Sequence, residues 1–391
     1  MSSLHLFATC PRGLEAVLVD ELRALGATEA EALGGGVSFR GDWPVVFRAN
    51  LESRVATRIL LRVAHAPYRT EHDVYAIARD VAWHRHFDVR HSIRVDLNAV
   101  RSPLRSLDFA TLRVKDAVCD RFRDEAGRRP DVDTRNPGVR IAVFLDAQQC
   151  SLYLDTSGEP LYKRGYRRET GEAPLRENLA AGILRLTGWQ GDTPLLDPMC
   201  GAGTLPAEAA LIALDIAPGL RRRFGFENLA DFDATRWQTL HEEAKARVRS
   251  TASAPIYGAD LYGDALKMAR ATLAAAGVEH AVALKQANVL ELPPPAPEGV
   301  MVANPPYGKR LGESDALDDF YPRLGDALKA RWAGWRCFFF SADMQLAKRI
   351  GLKASRRTPL YNGGLECRLF EYRMVAGQMR RKPGAPHSEP A

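Results

Sequence analysis

The chain has 391 residues, 46% of them hydrophobic and 26% charged, and a formal net charge of +6, which gives room for two or three domains with a sizeable core and makes a phosphate-bearing partner plausible. No stretch approaches the roughly twenty apolar residues of a membrane span, and no secretory signal opens the chain. Its six cysteines (Cys10, Cys119, Cys150, Cys200, Cys337 and Cys367) are scattered without a CxxC pair, which argues against structural zinc or a disulfide framework and for a reducing, cytoplasmic compartment.

The first elements are small and mixed. Residues 4–8 read as a strand. Residues 11–25 read as an amphipathic helix with Leu14, Val17, Leu18, Leu22 and Leu25 on one face and Gly26 as its stop. Gly34-Gly35-Gly36 turns the chain into a strand around Val37-Ser38-Phe39. A helix at 43–50 and a strand at 58–63 complete a first α+β unit. A second unit comes next: a helix at 74–82, an alternating strand at 92–100, a helix at 111–123, and a hairpin of strands 139–146 and 149–155. Neither unit carries a catalytic constellation. His84 and His86 lie close together but have no third ligand, so no metal is expected. These units read as a binding module, joined by the Gly-rich, charged segment 156–172 to the C-terminal part of the chain.

The chemistry lies in that C-terminal part. Leu195-Leu196 ends a short apolar strand, and Asp197-Pro198-Met199-Cys200-Gly201-Ala202-Gly203-Thr204 turns it into an Ala-rich helix over 205–214. Gly201 and Gly203 let the main chain approach a ligand closely. The turn lacks the third glycine of a dinucleotide fingerprint and the Gly-Lys-Ser/Thr of a triphosphate loop. Cys200 has no base beside it and reads as a small packing residue. Residues 215–254 read as an inserted loop and helix.

The next strand, 256–260, ends in Asp260, a candidate for ribose hydroxyls, with Leu261 placed beside an adenine. Asp264 reads as the N-cap of the following helix. A strand at 282–286 leads to Asn288-Val289. There Asn288 is either an adenine contact or a turn residue. The apolar strand 300–303 then runs into Asn304-Pro305-Pro306-Tyr307. Prolines fix φ and remove amide donors, leaving carbonyls free to accept. The Asn adds an acceptor and the Tyr a flat ring, which together suit a planar base bearing an exocyclic amine. With the glycine turn in the same sheet, the set looks like a site for S-adenosyl-L-methionine. The C-terminal part also supplies a buried strand at 337–341, a loop at Tyr361-Asn362-Gly363-Gly364 and a last strand at 369–374.

Several stretches carry a family resemblance. They are Ala8-Thr9-Cys10-Pro11-Arg12-Gly13-Leu14-Glu15, Gly34-Gly35-Gly36-Val37-Ser38-Phe39-Arg40-Gly41, Leu154-Asp155-Thr156-Ser157-Gly158, Arg164-Gly165-Tyr166-Arg167, Ala173-Pro174-Leu175-Arg176-Glu177-Asn178-Leu179-Ala180-Ala181, the turn at 195–205, and Asn304-Pro305-Pro306-Tyr307-Gly308. Over about residues 4–372 the chain resembles the THUMP-domain class I RNA methyltransferases, most closely the N-terminal methylase half of the bifunctional ribosomal RNA large subunit methyltransferase K/L family. The resemblance implies an α/β architecture: a ferredoxin-like unit (1–65), a THUMP RNA-binding domain (66–157), a Rossmann-type class I methyltransferase domain (158–375) whose terminal hairpin makes the sheet mixed, and a disordered tail (376–391). Two departures are visible. The chain ends at Ala391 without a second methylase, implying a monofunctional enzyme. Asn288 stands where relatives often carry Asp.

The resemblance implies methylation of guanine N2 in 23S rRNA, in the helix 74 region, or in a large-subunit precursor. Asn304, Pro305, Pro306 and Tyr307 would be catalytic. Asp197, Pro198, Cys200, Gly201, Gly203, Asp260, Leu261, Asn288 and Val289 would hold the cofactor. Neither a metal nor a membrane is implied. The basic clusters give Arg164, Arg167, Arg168, Arg221 and Arg222 as candidate RNA contacts, interleaved with Tyr162 and Tyr166. Three alternatives remain open: a tRNA guanine-N2 methyltransferase, a DNA adenine-N6 methyltransferase, and a non-catalytic RNA-binding assembly factor.

Overall fold

The computed structural model describes residues 3–167, 175–305 and 314–375. The expectations for Arg168, Pro306, Tyr307 and the tail from residue 376 lie outside them.

The N-terminal part is one seven-stranded sheet in the order β2-β3-β1-β4-β7-β6-β5. Its strands are β1 (Leu4–Thr9), β2 (Thr28–Leu33), β3 (Gly36–Gly41), β4 (Arg58–Pro67), β5 (Ile93–Ala99), β6 (Val139–Leu145) and β7 (Gln149–Asp155). Helices α1 (Glu15–Ala24), α2 (Trp43–Glu52), α3 (Glu71–Asp80) and α4 (Leu107–Ala126) accompany it. Local chemistry explains their bounds. Asp42 accepts the Val45 amide N–H ahead of α2, a reciprocal Thr70–Asp73 capping box starts α3 earlier than periodicity alone suggests, and Gly127 ends α4 in the left-handed region at φ 68°.

The two sequence units are not separate sheets. β4 is the shared strand: Leu61 pairs with Leu6 of β1 on one side and with Leu154 of β7 on the other. This is why β4 runs on to Pro67 and does not stop at Val63. The Asp155-Thr156-Ser157 stretch is the joint below it. Asn50 donates to Thr156 Oγ1 at 2.8 Å, Ser157 Oγ donates to Asn50 Oδ1 at 2.6 Å, and Asp155 Oδ1 accepts the Ser157 amide N–H at 2.8 Å. All four residues are buried, so the network satisfies polar groups that would otherwise cost free energy.

The second sheet has the order β10-β9-β8-β11-β12-β14-β13. Helix α5 (Glu177–Leu186) precedes β8 (Leu195–Asp197). Then come α6 (Thr204–Ala213), α7 (Ala234–Ala246), β9 (Ile256–Asp260), α8 (Gly263–Ala276), β10 (Val282–Gln286), β11 (Gly299–Ala303), α9 (Ser314–Arg331), β12 (Trp335–Ser341), β13 (Arg356–Asn362) and β14 (Leu365–Arg373). β8 to β12 pair in parallel, and β14 is antiparallel to both β12 and β13, so the sheet is mixed. Tyr361 and Asn362 belong to β13, leaving only Gly363-Gly364 as the turn. Helix α8 starts at Gly263 with Tyr262 at its cap, so Asp264 sits inside its first turn, bonded to Lys267.

The first sheet's elements dock directly on the second part. Arg54, 6% exposed, donates to the carbonyls of Leu211 and Ile216 at the end of α6. Asn178 of α5 donates to Val55 O and Thr57 Oγ1. The Arg12 guanidinium lies 4.4 Å from the Tyr361 ring centroid.

Candidate active site

Four neighbouring strands, β10, β9, β8 and β11, end along one edge of the second sheet. They carry Asn288, Asp260, Asp197 and Asn304 at or just beyond their C-terminal ends. The chain order reverses between β8 and β11, and ligands bind in the crevice that such a reversal opens.

The glycine turn is tied to β9. The Cys200 amide donates to Ala259 O at 2.8 Å, and Asp260 Oδ2 accepts the Gly201 amide N–H at 2.9 Å while its Oδ1 accepts that of Tyr262 at 3.0 Å. Gly201 (φ +52°) and Gly203 (φ +80°) both need the left-handed region. Their roles differ. A Cβ on Gly203 would lie 3.0 Å from Ala269 of α8, so this glycine lets a helix pack. A Cβ on Gly201 would meet nothing within 4 Å, so here the backbone faces open space.

Asp197 is 2% exposed. Burial pushes its carboxyl well above the usual range; the Met199 amide, donating to Oδ1 at 3.1 Å, pulls the other way, and the Asp260 charge adds to the rise. Pro198 follows it directly into the turn. The Cys200 thiol is also pushed up by burial and packs with Leu266 and Ala269. It is an inert packing thiol, since the thiolate is the reactive form.

Asn304 leaves β11 with its side-chain Oδ1 buried and without a hydrogen-bond partner among the described residues; Pro305 beside it is buried. An orphaned buried acceptor costs about 1–3 kcal/mol unless a ligand meets it. Leu261 is 51% exposed and Tyr262 63% exposed at the exit of β9. Val289 is buried. Asn288 acts as a turn residue: its Oδ1 accepts the Leu290 amide N–H at 3.0 Å, and its own carbonyl accepts from Glu291 and Leu292.

The basic candidates need correction. Arg164 is 6% exposed and donates to Leu161 O and Arg54 O, with Glu208 at 3.4 Å. Tyr166, which interleaves with this basic cluster in sequence, is buried and donates to Glu208 at 2.8 Å. Arg222 is spent on the carbonyls of Ser157, Glu159, Pro160 and Lys163. Arg167 donates to Leu175 O and Thr204 Oγ1 and pairs with Glu177 at 3.3 Å. These three guanidiniums are committed to holding the linker. Arg221 is exposed and donates to Ala275 O.

Tyr262, exposed at the exit of β9 beside the turn, is a candidate that sequence reading passed over. Its signal, an aromatic two residues after the terminal Asp of a strand, was present. Among the described residues no group of three His, Cys, Asp or Glu could hold a metal ion. No helix among them is long and apolar enough to cross a membrane.

The mixed Rossmann-type sheet and its edge of acceptors define a class I methyltransferase. The chain belongs to the RMKL-like methyltransferase domain family, whose model matches residues 164–371. A ferredoxin-like domain model named for RlmL matches residues 5–60 and a THUMP domain model residues 68–155. The chain is 40% identical, over 95% of its length, to ribosomal RNA large subunit methyltransferase K/L of Aeromonas salmonicida, and covers 54% of that protein. It thus spans about half the length of this relative. It is 39% identical to "Putative RNA methyltransferase slr0064" of Synechocystis, over 94% of this chain and 96% of that one. The crystal structure of SMU.472 complexed with SAH superposes with a TM-score of 0.87 at 31% identity, covering 98% of this chain and all of that one.

S-adenosyl-L-methionine is the cofactor. The residues present fit it: the bare Gly201 backbone offers a close approach, and the buried Asp197 carboxyl suits a cationic group.

Proposed function

We propose that this protein methylates the exocyclic N2 of a guanine in RNA, with the helix 74 region of 23S rRNA as its substrate. The observation that carries this reading is the buried, unpartnered Oδ1 of Asn304 at the end of β11, beside the glycine turn. The guanine amine is a poor nucleophile because its lone pair is delocalised into the ring. Asn304 Oδ1 and the Pro305 carbonyl accept its two hydrogens, orient the nitrogen and stabilise positive charge as it develops. The cofactor supplies a methyl already activated by a sulfonium charge. Asp197 releases its proton to solvent as the cationic cofactor binds and so provides the anionic contact, and Asp260 the remaining lone pairs for ribose hydroxyls. The exposed faces of Leu261 and Tyr262 flank the adenine. Tyr307 stacks on a guanine drawn out of its helix, worth roughly 1–3 kcal/mol per base.

The RNA assignment is supported by the THUMP match and by the names of the relatives, and an rRNA substrate implies a cytoplasmic enzyme. The test is methyl transfer from labelled S-adenosylmethionine to 23S rRNA, total tRNA and duplex DNA, with the product nucleoside identified by mass spectrometry. N2-methylguanosine in 23S rRNA alone is the expected result. The same nucleoside in tRNA replaces the substrate and keeps the chemistry; N6-methyladenine in DNA overturns both.

A further inference from the structure

A cavity of about 770 Å³ opens on the opposite edge of the second sheet from the glycine turn. It lies where α6 and α8 end and where the chain leaving α7 returns to β9. Helix α6 alone, ten residues long, sets it roughly 15 Å from the turn. It is therefore not part of the methyl-transfer site.

Its chemistry is divided. Leu214, Leu220, Val248 and Ala276 give it apolar walls, while Arg221, Lys245, Arg249, His241 and His280 stand around them, and none of its lining residues is Asp or Glu. The back of the cavity holds Arg164, already paired with Glu208. The three permanent cations nearer solvent are lightly committed. Arg221 donates to Ala275 O at 3.0 Å, meeting a carbonyl in the last turn of α8 that would otherwise repel an anion. Lys245 reaches Glu242 only at 3.7 Å on an exposed surface. No described residue pairs with the Arg249 guanidinium.

We propose that this cavity binds a nucleotide, with its base on the apolar walls and its phosphate between Arg221, Lys245 and Arg249. Guanidiniums match phosphate oxygens in a bidentate fork. The volume falls in the range of about 300–1,000 Å³ typical of small-molecule pockets and exceeds what a lone phosphate needs. A free mononucleotide and a nucleotide within an RNA strand present the same chemistry. The assignment goes beyond the guanine-N2 reading and does not depend on it.

The probe is labelled uridine 5′-monophosphate, dialysed against the full chain saturated with S-adenosylhomocysteine. The latter fills the cofactor site, and uracil lacks the exocyclic amine that Asn304 would take. A Lys245→Glu/Arg249→Glu variant is expected to bind the probe about tenfold or more weakly, because two exposed cations are reversed, while its S-adenosylhomocysteine affinity is unchanged. Competition by a single-stranded RNA decamer, lost in the same variant, assigns the site to an RNA strand; probe binding that the decamer does not displace assigns it to a free nucleotide. If the folded wild-type protein binds neither, or binds both as the variant does, the proposal is overturned.

Discussion

Asp260, the last residue of β9, accepts the amide N–H of Gly201 from the neighbouring turn at 2.9 Å. One carboxylate thereby fixes the loop proposed to face the cofactor, with lone pairs remaining for a ligand. Asp260→Ala leaves the Gly201 and Tyr262 amides without their acceptor, each worth about 1–3 kcal/mol if buried. Calorimetric titration should show S-adenosylmethionine binding weakened tenfold or more, with a lower melting temperature. An unchanged dissociation constant removes Asp260 from the site.

The two glycines of the turn should separate stability from binding. Gly203→Ala places a methyl 3.0 Å from Ala269 in a left-handed backbone, so thermal unfolding should report a loss of more than the roughly 1–2 kcal/mol of backbone strain. Gly201→Ala carries the strain alone, since its Cβ meets no protein atom within 4 Å. That variant should fold and yet bind S-adenosylmethionine poorly. Normal affinity would mean that the open face of Gly201 is not where the cofactor lies.

Asp197 sets a pH dependence of defined sign. Its folded carboxyl titrates above the ordinary 3.8, chiefly through burial, so the folded chain holds a proton that the unfolded chain has released. Stability from this group is present below 3.8 and is lost as pH rises toward the raised value. The Asp197→Asn variant should therefore melt higher than wild type near pH 8, and the difference should shrink near pH 5. The same variant should bind the cationic cofactor more weakly. A melting difference that grows on acidification contradicts the assignment.

Asn304→Ala should lower the rate of methyl transfer by about a hundredfold or more, the typical cost of removing one preorganised contact to developing charge. Because Oδ1 has no partner among the described residues, the fold should lose little stability. Single-turnover assays alongside cofactor titration separate the two effects. A variant that keeps its rate excludes the amide from the chemistry.

Glu208 holds the linker at the junction. It accepts the Tyr166 hydroxyl at 2.8 Å and faces Arg164 at 3.4 Å, all three being buried. Glu208→Ala strands a buried guanidinium and should cost about 3–5 kcal/mol in urea unfolding. Glu208→Gln keeps an oxygen for Tyr166 and should cost less. Equal losses would show that the charge, which both variants remove, matters and the hydroxyl contact does not.

The elements of the candidate site were legible because each is encoded within a short window. The turn after Leu195-Leu196, the terminal Asp260 and the Asn304-Pro305 corner depend on backbone geometry and residue type over a few positions, and the strands before them on continuous apolar runs. Helices α5 and α9 were not legible in this way. Most of α5 is buried, its polar Glu177 and Asn178 included, so residue type alone does not report its exposure.

The sequence alone determined the order of the strands and helices and the turn and corner of the candidate site, because these are local patterns of glycine, proline and hydrophobic period, while the class of fold followed from the family resemblance. Only the tertiary structure decided that β4 fuses the first two units into one sheet, since its second partner lies some ninety residues away. It alone also decided which cations reach solvent. Arg164 finds its acceptors 44 and 110 residues distant, and Arg222 some sixty residues away. A basic cluster in sequence records charge, whereas burial beside a distant carboxylate or carbonyl decides whether that charge is left to meet a ligand.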